Sequence, residues 1–189
     1  MKIVHVLPAL TKGGGERVMA ELANHADSAG HDVTIIAACP VDPTLLQSSL
    51  NSGVNLKFMR ETPRYKLMWY VAMLFWLVKH RKWICQQDVV HSHMTYGAVF
   101  CTLLWFYLKL FNVEGPVIVE TCHSAGAPIS DKRRVFYEWM ASKRDVLALI
   151  AEDEKWNLFR DANSKLLSRV ILNGIADPSK AGISKAASD

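Results

Sequence analysis

Gly13-Gly14-Gly15-Glu16 carries the first chemical signal in the chain: it follows a short apolar run, Ile3–Leu7, and opens a helical pattern. Glycines at such a point let a phosphate or a sugar approach the backbone, and the helix start offers free N–H groups to an anion. The same glycines also suit a turn that does no more than begin a helix. No Gly-Lys-Ser/Thr follows, so this is not a phosphate-binding Walker loop. The order G-x-G-x-x-G fails as well, since Arg17 and Val18 follow Glu16. The next apolar run ends in Ala37-Ala38-Cys39 instead of the acid that would hold a ribose.

The seven histidines divide by position. His25, His31 and His80 fall on helix surfaces or turns. His5 alternates within the first apolar run and reads as a buried or sheet-lining residue. His91 and His93 flank Ser92, so in an extended strand they share one face. His123 directly follows the run Val117–Thr121. A single histidine of this kind is more often structural, but two such positions beside a glycine loop point to a shared cleft. No carboxylate stands at ligand spacing, so no metal site is expected. No serine sits in a G-x-S-x-G elbow.

The elements that must position these residues alternate from end to end. Ile3–Leu7, Val33–Ala38, Leu56–Arg60, Val89–His91, Val117–Thr121, Val146–Ile150 and Val170–Leu172 are short and mostly Val- or Ile-rich. Between them lie helical patterns over 16–29, 65–85, 96–111, 132–142 and 152–161, with a short helix opened by Asp42-Pro43. Gly30 stops the first helix. Seven strands alternating with helices predict an α/β fold: a doubly wound, mostly parallel sheet with helices on both faces. Ligands in such sheets sit at the carboxyl ends of the strands, where the strand order reverses. Gly13–Glu16, 92–96, 122–126, 151–154 and Asn173-Gly174 are therefore the positions to watch.

The 189 residues suit one ordinary domain, half of them apolar and 21% charged, which excludes global disorder. The four cysteines form no CxxC pair, so a disulfide framework is not expected and a reducing, cytoplasmic address is. The N-terminal run is too short for a signal-peptide core. A net charge of +4 is well short of what nucleic-acid binding alone would demand, and no partner of that kind is expected.

Several segments together resemble glycosyltransferase family 4. They are the opening through Gly13-Gly14-Gly15-Glu16-Arg17 and Gly30-His31-Asp32-Val33, then Asp88-Val89-Val90-His91-Ser92-His93, Val117–His123 and Val170-Ile171-Leu172-Asn173-Gly174-Ile175. The resemblance implies one half of a GT-B enzyme, a Rossmann-like N-terminal domain over 1–175 that binds the acceptor, with 176–189 a polar tail or linker remnant. It implies that Gly13, Gly14, Gly15 and Glu16 line the cleft, that His123 contacts the transferred sugar at the reaction centre, and that His93 and Asn173 help bind substrate. The implied chemistry is metal-independent transfer, with retained configuration, from a nucleotide-sugar donor to a glycan or lipid-linked acceptor. Bacterial surface polysaccharide (lipopolysaccharide among them) or glycolipid synthesis is the implied setting. The donor would be bound only with a second domain, whose Glu-x7-Glu signature the sequence lacks, so this chain alone is expected to be inactive. Ala151-Glu152 departs from the family's frequent Ser-Glu. The alternatives are a non-catalytic acceptor-binding or membrane-docking subunit that pairs with a separate donor-binding chain, a GT-B epimerase half, and a nicotinamide enzyme.

The helix over 65–85 raises a membrane question. Leu67–Val78 is an unbroken apolar run of twelve, too short to span a bilayer. Arg64 and Lys66 precede it and Lys79, Arg81 and Lys82 follow. Trp69, Trp76 and Trp83 recur every seven residues on nearly one face. Such a helix is either buried on all sides or docked on an anionic membrane surface, with Trp69, Trp76, Lys79, Arg81 and Lys82 as the contacts. The second option places the protein peripherally on the inner face of the membrane.

Overall fold

A computed structural model describes residues 1–10, 13–39, 49–59, 66–123, 131–150 and 168–170. The strands are β1 (Lys2–Ala9), β2 (Asp32–Cys39), β3 (Asn55–Phe58), β4 (Val89–His93), β5 (Val117–Cys122), β6 (Val146–Leu149) and β7 (Ser168–Val170). The helices are α1 (Gly14–Ser28), α2 (Lys66–Cys85), α3 (Met94–Phe111) and α4 (Asp131–Ala141). All seven strands pair in parallel, in the order β3-β2-β1-β4-β5-β6-β7. The order reverses between β1 and β4, as the α/β expectation requires, because parallel neighbours need a helical crossover. The expected helices after Asp42 and over 152–161, together with Asn173 and the tail, lie outside the described residues.

Side-chain alternation sorts the sheet into two faces. Val4, Val6, Ile36, Val90 and Ile118 pack with Met73, Trp76 and Leu77 of α2 and Phe100 and Leu104 of α3. Leu7, Val33, Ile35 and Ala37 pack with Met19, Ala20 and Ala23 of α1. Period two therefore puts His5, between Val4 and Val6, on the face that α1 covers.

Several boundaries differ from the sequence reading, and those nearest the switch point bear on the site. β1 continues through Pro8, because its pairing with β4 ends at Val6↔Ser92, so no ladder bond to β4 is asked of the missing proline N–H. β4 continues to His93 instead of stopping at His91, and α3 begins at the next residue. Met94 makes that reversal in the left-handed region, at φ 61. Asn112 ends α3 at φ 48, a conformation its short side chain tolerates.

Gly97 seats α3 on the sheet. A Cβ at this position would stand 2.5 Å from the Val6 carbonyl oxygen and 3.1 Å from the Ser92 Cβ. Backbone cannot swing aside as a side chain does, so Gly97→Ala is expected to lift α3 from β1 and β4 and cost about 1–3 kcal/mol. A urea melt tests this, and an unchanged midpoint would show that the helix is not held by this contact.

Candidate functional site

The switch point carries an unusual concentration of imidazole. His5 comes from β1, His91 and His93 from β4, and His123 from the end of β5. His5 pairs with His91 in the sheet register, and His93 with Thr121. His5 Nδ1 lies 3.0 Å from His93 Nε2, and His93 Nδ1 lies 3.0 Å from His123 Nε2, which makes a continuous hydrogen-bonded chain of three rings. His91 stands beside this chain, its ring 4.2 Å from that of His93, and its Nε2 bonds Thr121 Oγ1 at 2.7 Å.

Burial sets the protonation of the cluster. His5 and His93 are buried, and His91 and His123 are partly so. Removal from water pushes the His5 pKa down to about 4. It holds His91 and His93 well below the ordinary histidine range, and the neighbouring imidazoles add repulsion against any proton. His123 is also lowered by burial, against the pull of the Glu16 carboxylate. All four rings are therefore neutral at pH 7.

The N-terminus of α1 comes up to His123. A Cβ on Gly15 would stand 2.8 Å from Met94 Cε and 3.4 Å from His123 Cγ, so the bare glycine lets helix, ring and thioether meet. Gly13 is the N-cap of α1 and makes no side-chain cap. The buried Glu16 carboxylate occupies the space that a Gly13 side chain would fill, which places a negative charge at the start of its own helix. Gly14 has open space around it. The structure thus brings Gly15, His93 and His123 together at the strand ends, with Gly13, Gly14 and Glu16 beside them in the first turn of α1. Asn173 lies outside the described residues.

His5 and Thr121 join the site without having been singled out from sequence. The signal for His5 was its pairing partner: a doubly wound sheet places β1 beside β4, so a histidine in β1 faces a His-x-His strand. Among the described residues, the ligand nitrogens of His5, His91 and His93 lie within 4.8 Å of one another, close enough to hold a metal ion together. Their nitrogens are largely engaged already, at both positions of His93 and at His5 Nδ1 and His91 Nε2.

The membrane contacts need one correction. Trp76 is buried, packed on the core and stacked with His80. Trp83 is half-buried beneath Lys57. Trp76 and Trp83 lie on the face that turns inward, along with Met73, Leu77 and Ile84. The outward face is Val71, Leu74, Phe75 and Val78, with Phe75 72% exposed, and Lys79, Arg81 and Lys82 are exposed beside it. The Trp69 side chain lies outside the described residues. One described helix, α3, is long and apolar enough to cross a membrane by length and composition, yet Phe100, Cys101 and Leu104 bury one side of it on the sheet.

A doubly wound parallel sheet with a polar crevice at its switch point defines the class of Rossmann-like α/β domains that bind ligands at the strand ends. The model of glycosyltransferase family 4 matches residues 12–177, and the chain belongs to that family. No curated protein matches it in sequence. Among solved structures, a glycosyltransferase from Rickettsia africae ESF-5 superposes with a TM-score of 0.64 at 20% identity, covering 92% of this chain and 43% of that one. A sucrose-phosphate synthase from Thermosynechococcus elongatus gives 0.60 at 15% identity, over 93% and 91%. A Listeria monocytogenes protein described as a UDP-N-acetylglucosamine 2-epimerase gives 0.57 at 13%, over 85% and 43%. The chain thus spans less than half the length of the Rickettsia glycosyltransferase, and these likenesses establish the shared fold.

Proposed function

We propose that this chain is the acceptor-side domain of a glycosyltransferase that moves a sugar from a nucleotide-sugar donor to a glycan or lipid-linked acceptor, in surface polysaccharide or glycolipid synthesis. The observation that carries the reading is His123 at the end of β5, against Gly15 of α1 and bonded to His93, within a family 4 chain. In the reaction the bond from the anomeric carbon to the diphosphate oxygen breaks and one to an acceptor oxygen forms, with configuration retained. The acceptor proton leaves with the diphosphate. Neutral His123 can bind a sugar hydroxyl without adding charge, and the starts of α1 and α3 present positive dipole ends to a nearby phosphate. A second domain supplies the nucleotide-binding surface.

The outward face of α2 favours a lipid-linked acceptor. Val71, Leu74, Phe75 and Val78 form an apolar stripe flanked by Lys79, Arg81 and Lys82, a pattern that suits the interface of an anionic bilayer. The same stripe would serve a non-catalytic docking subunit, which the next measurement separates from an acceptor domain.

The chain is titrated with UDP-glucose by calorimetry, and floated with phosphatidylglycerol vesicles that carry or lack a monoglucosyl lipid. The expected result is vesicle binding, stronger with the glycolipid, and no UDP-glucose binding below about 1 mM, a free energy near −4 kcal/mol. His123→Ala should remove the glycolipid increment alone. Changing Lys79, Arg81 and Lys82 together to Glu should weaken binding to all vesicles more than tenfold, since each basic residue contributes about 1 kcal/mol at such a surface. Tight UDP-glucose binding without lipid binding would refute the division of labour. Lipid binding indifferent to the glucosyl group would favour the docking subunit.

A further inference from the structure

We propose that His5 is a positioning residue: acting through His93, it holds His123 in the tautomer whose Nδ1 carries the proton, so that His123 offers an N–H to an oxygen of the bound ligand. The inference deepens the reading of His123 as a ligand contact and rests on it for its functional meaning, but not for its geometry.

The argument is one of proton counting. A neutral imidazole has one N–H and one lone pair. Each of the two nitrogen-to-nitrogen contacts, His5 Nδ1 to His93 Nε2 and His93 Nδ1 to His123 Nε2, needs one donor and one acceptor. Only two arrangements satisfy both. In one, His5 Nδ1–H donates to His93, His93 Nδ1–H donates to His123, and the proton of His123 is on Nδ1. In the other, every bond reverses: His123 donates to His93, His93 donates to His5, and the His5 proton is forced onto Nε2.

His5 Nε2 decides between them. It is buried and has no hydrogen-bond partner among the described residues. The reversed arrangement would leave it as an orphaned buried N–H, which proteins almost never keep, whereas the forward one leaves a bare acceptor, the lesser defect. A cationic His93 that donates in both directions would escape the choice, but burial among three other imidazoles disfavours the cation. His91 stays outside the chain, its Nε2 being engaged by Thr121. The direction of hydrogen bonding at the crevice is thus fixed two rings away, on β1. His123 Nε2 is committed to His93, and Nδ1 is the nitrogen that meets a ligand hydroxyl or phosphate oxygen.

Uniformly 15N-histidine-labelled protein tests this without any ligand, so the result is independent of whether the chain handles a glycosyl acceptor. At pH 7.5 the long-range nitrogen–proton spectrum should show His123 with a protonated Nδ1 and a bare Nε2. His5→Asn keeps an amide that can donate where Nδ1 stood, and should preserve that tautomer. His5→Ala removes the donor and leaves room for a water that accepts from His93 Nε2 as readily as it donates to it, and should shift the tautomer ratio of His123 by more than tenfold. A wild-type His123 protonated on Nε2 would overturn the proposal without recourse to any variant. So would a folded His5→Ala protein with its tautomer unmoved. Binding of one equivalent of zinc chloride with loss of the His5–His93 bond would overturn it too, because a metal would then use the nitrogens that the chain requires.

Discussion

Acidification from pH 7.5 to 5 should destabilise this domain severely, and the β1–β4 histidines are the reason. His5 is neutral in the folded protein down to about pH 4, whereas an unfolded histidine takes a proton near 6.5. Between those values the unfolded chain binds more protons than the native one, so stability rises with pH and falls as acid is added. The stabilisation is complete above about pH 6.5 and is lost progressively toward pH 4, about 3 kcal/mol for His5 alone at about 1.4 kcal/mol per pH unit. His91 and His93 act in the same direction, and because the rings touch, the first proton on the cluster hinders the next. A domain of this size holds only about 5–15 kcal/mol in total. The expected result is cooperative unfolding near pH 5. Urea midpoints followed by circular dichroism at pH 7.5, 6.5 and 5.5 check it, and a midpoint flat across that range would show that the buried rings accept protons without unfolding.

The second large effect belongs to Glu120 and Arg144, on the opposite side of the sheet. Arg144 Nε donates to Glu120 Oε2 at 2.7 Å, with the two side chains 0% and 9% exposed. Arg144 Nη2 also donates to the Ala98 carbonyl and to Thr102 Oγ1, binding α3 to β5 and to the approach to β6. Burial raises the Glu120 pKa despite the attraction of Arg144, so desolvation is the greater influence on the carboxylate. Removing one partner strands the other as a buried charge. Glu120→Ala or Arg144→Ala should therefore cost about 3–5 kcal/mol. Replacing both by methionine should cost far less than the sum, because the penalty of each single change is the charge it leaves behind. Chemical denaturation of the two single variants and the double variant reads this directly. A Glu120→Ala loss below about 1 kcal/mol would mean that water reaches the guanidinium.

The architecture was legible because its signal is local. Buried parallel strands read as short Val- and Ile-rich runs, and the residues after them mark the crevice, which is how His93 and His123 were found. Three features depended on information that no local pattern carries. His5 gains its role only from the strand order, which brings β1 beside β4. Glu120 and Arg144 are 24 residues apart and meet only because β6 lies beside β5. The side that Trp76 faces stays open in the sequence because α2 is apolar all round. The spacing of Trp69, Trp76 and Trp83 defines a face, but with Leu74 and Phe75 as apolar as Met73 and Leu77, nothing in the sequence says which way that face turns.

The passage from β4 to α3 has no loop at all: His93 ends the strand and Met94, at φ 61, begins the helix. This makes it a stretch of chain closed to evolutionary insertion. One added residue would rotate α3 by about 100° and carry Gly97 away from β1. New ligand preferences in descendants of this chain would accordingly arise on the His93 side by substitution alone.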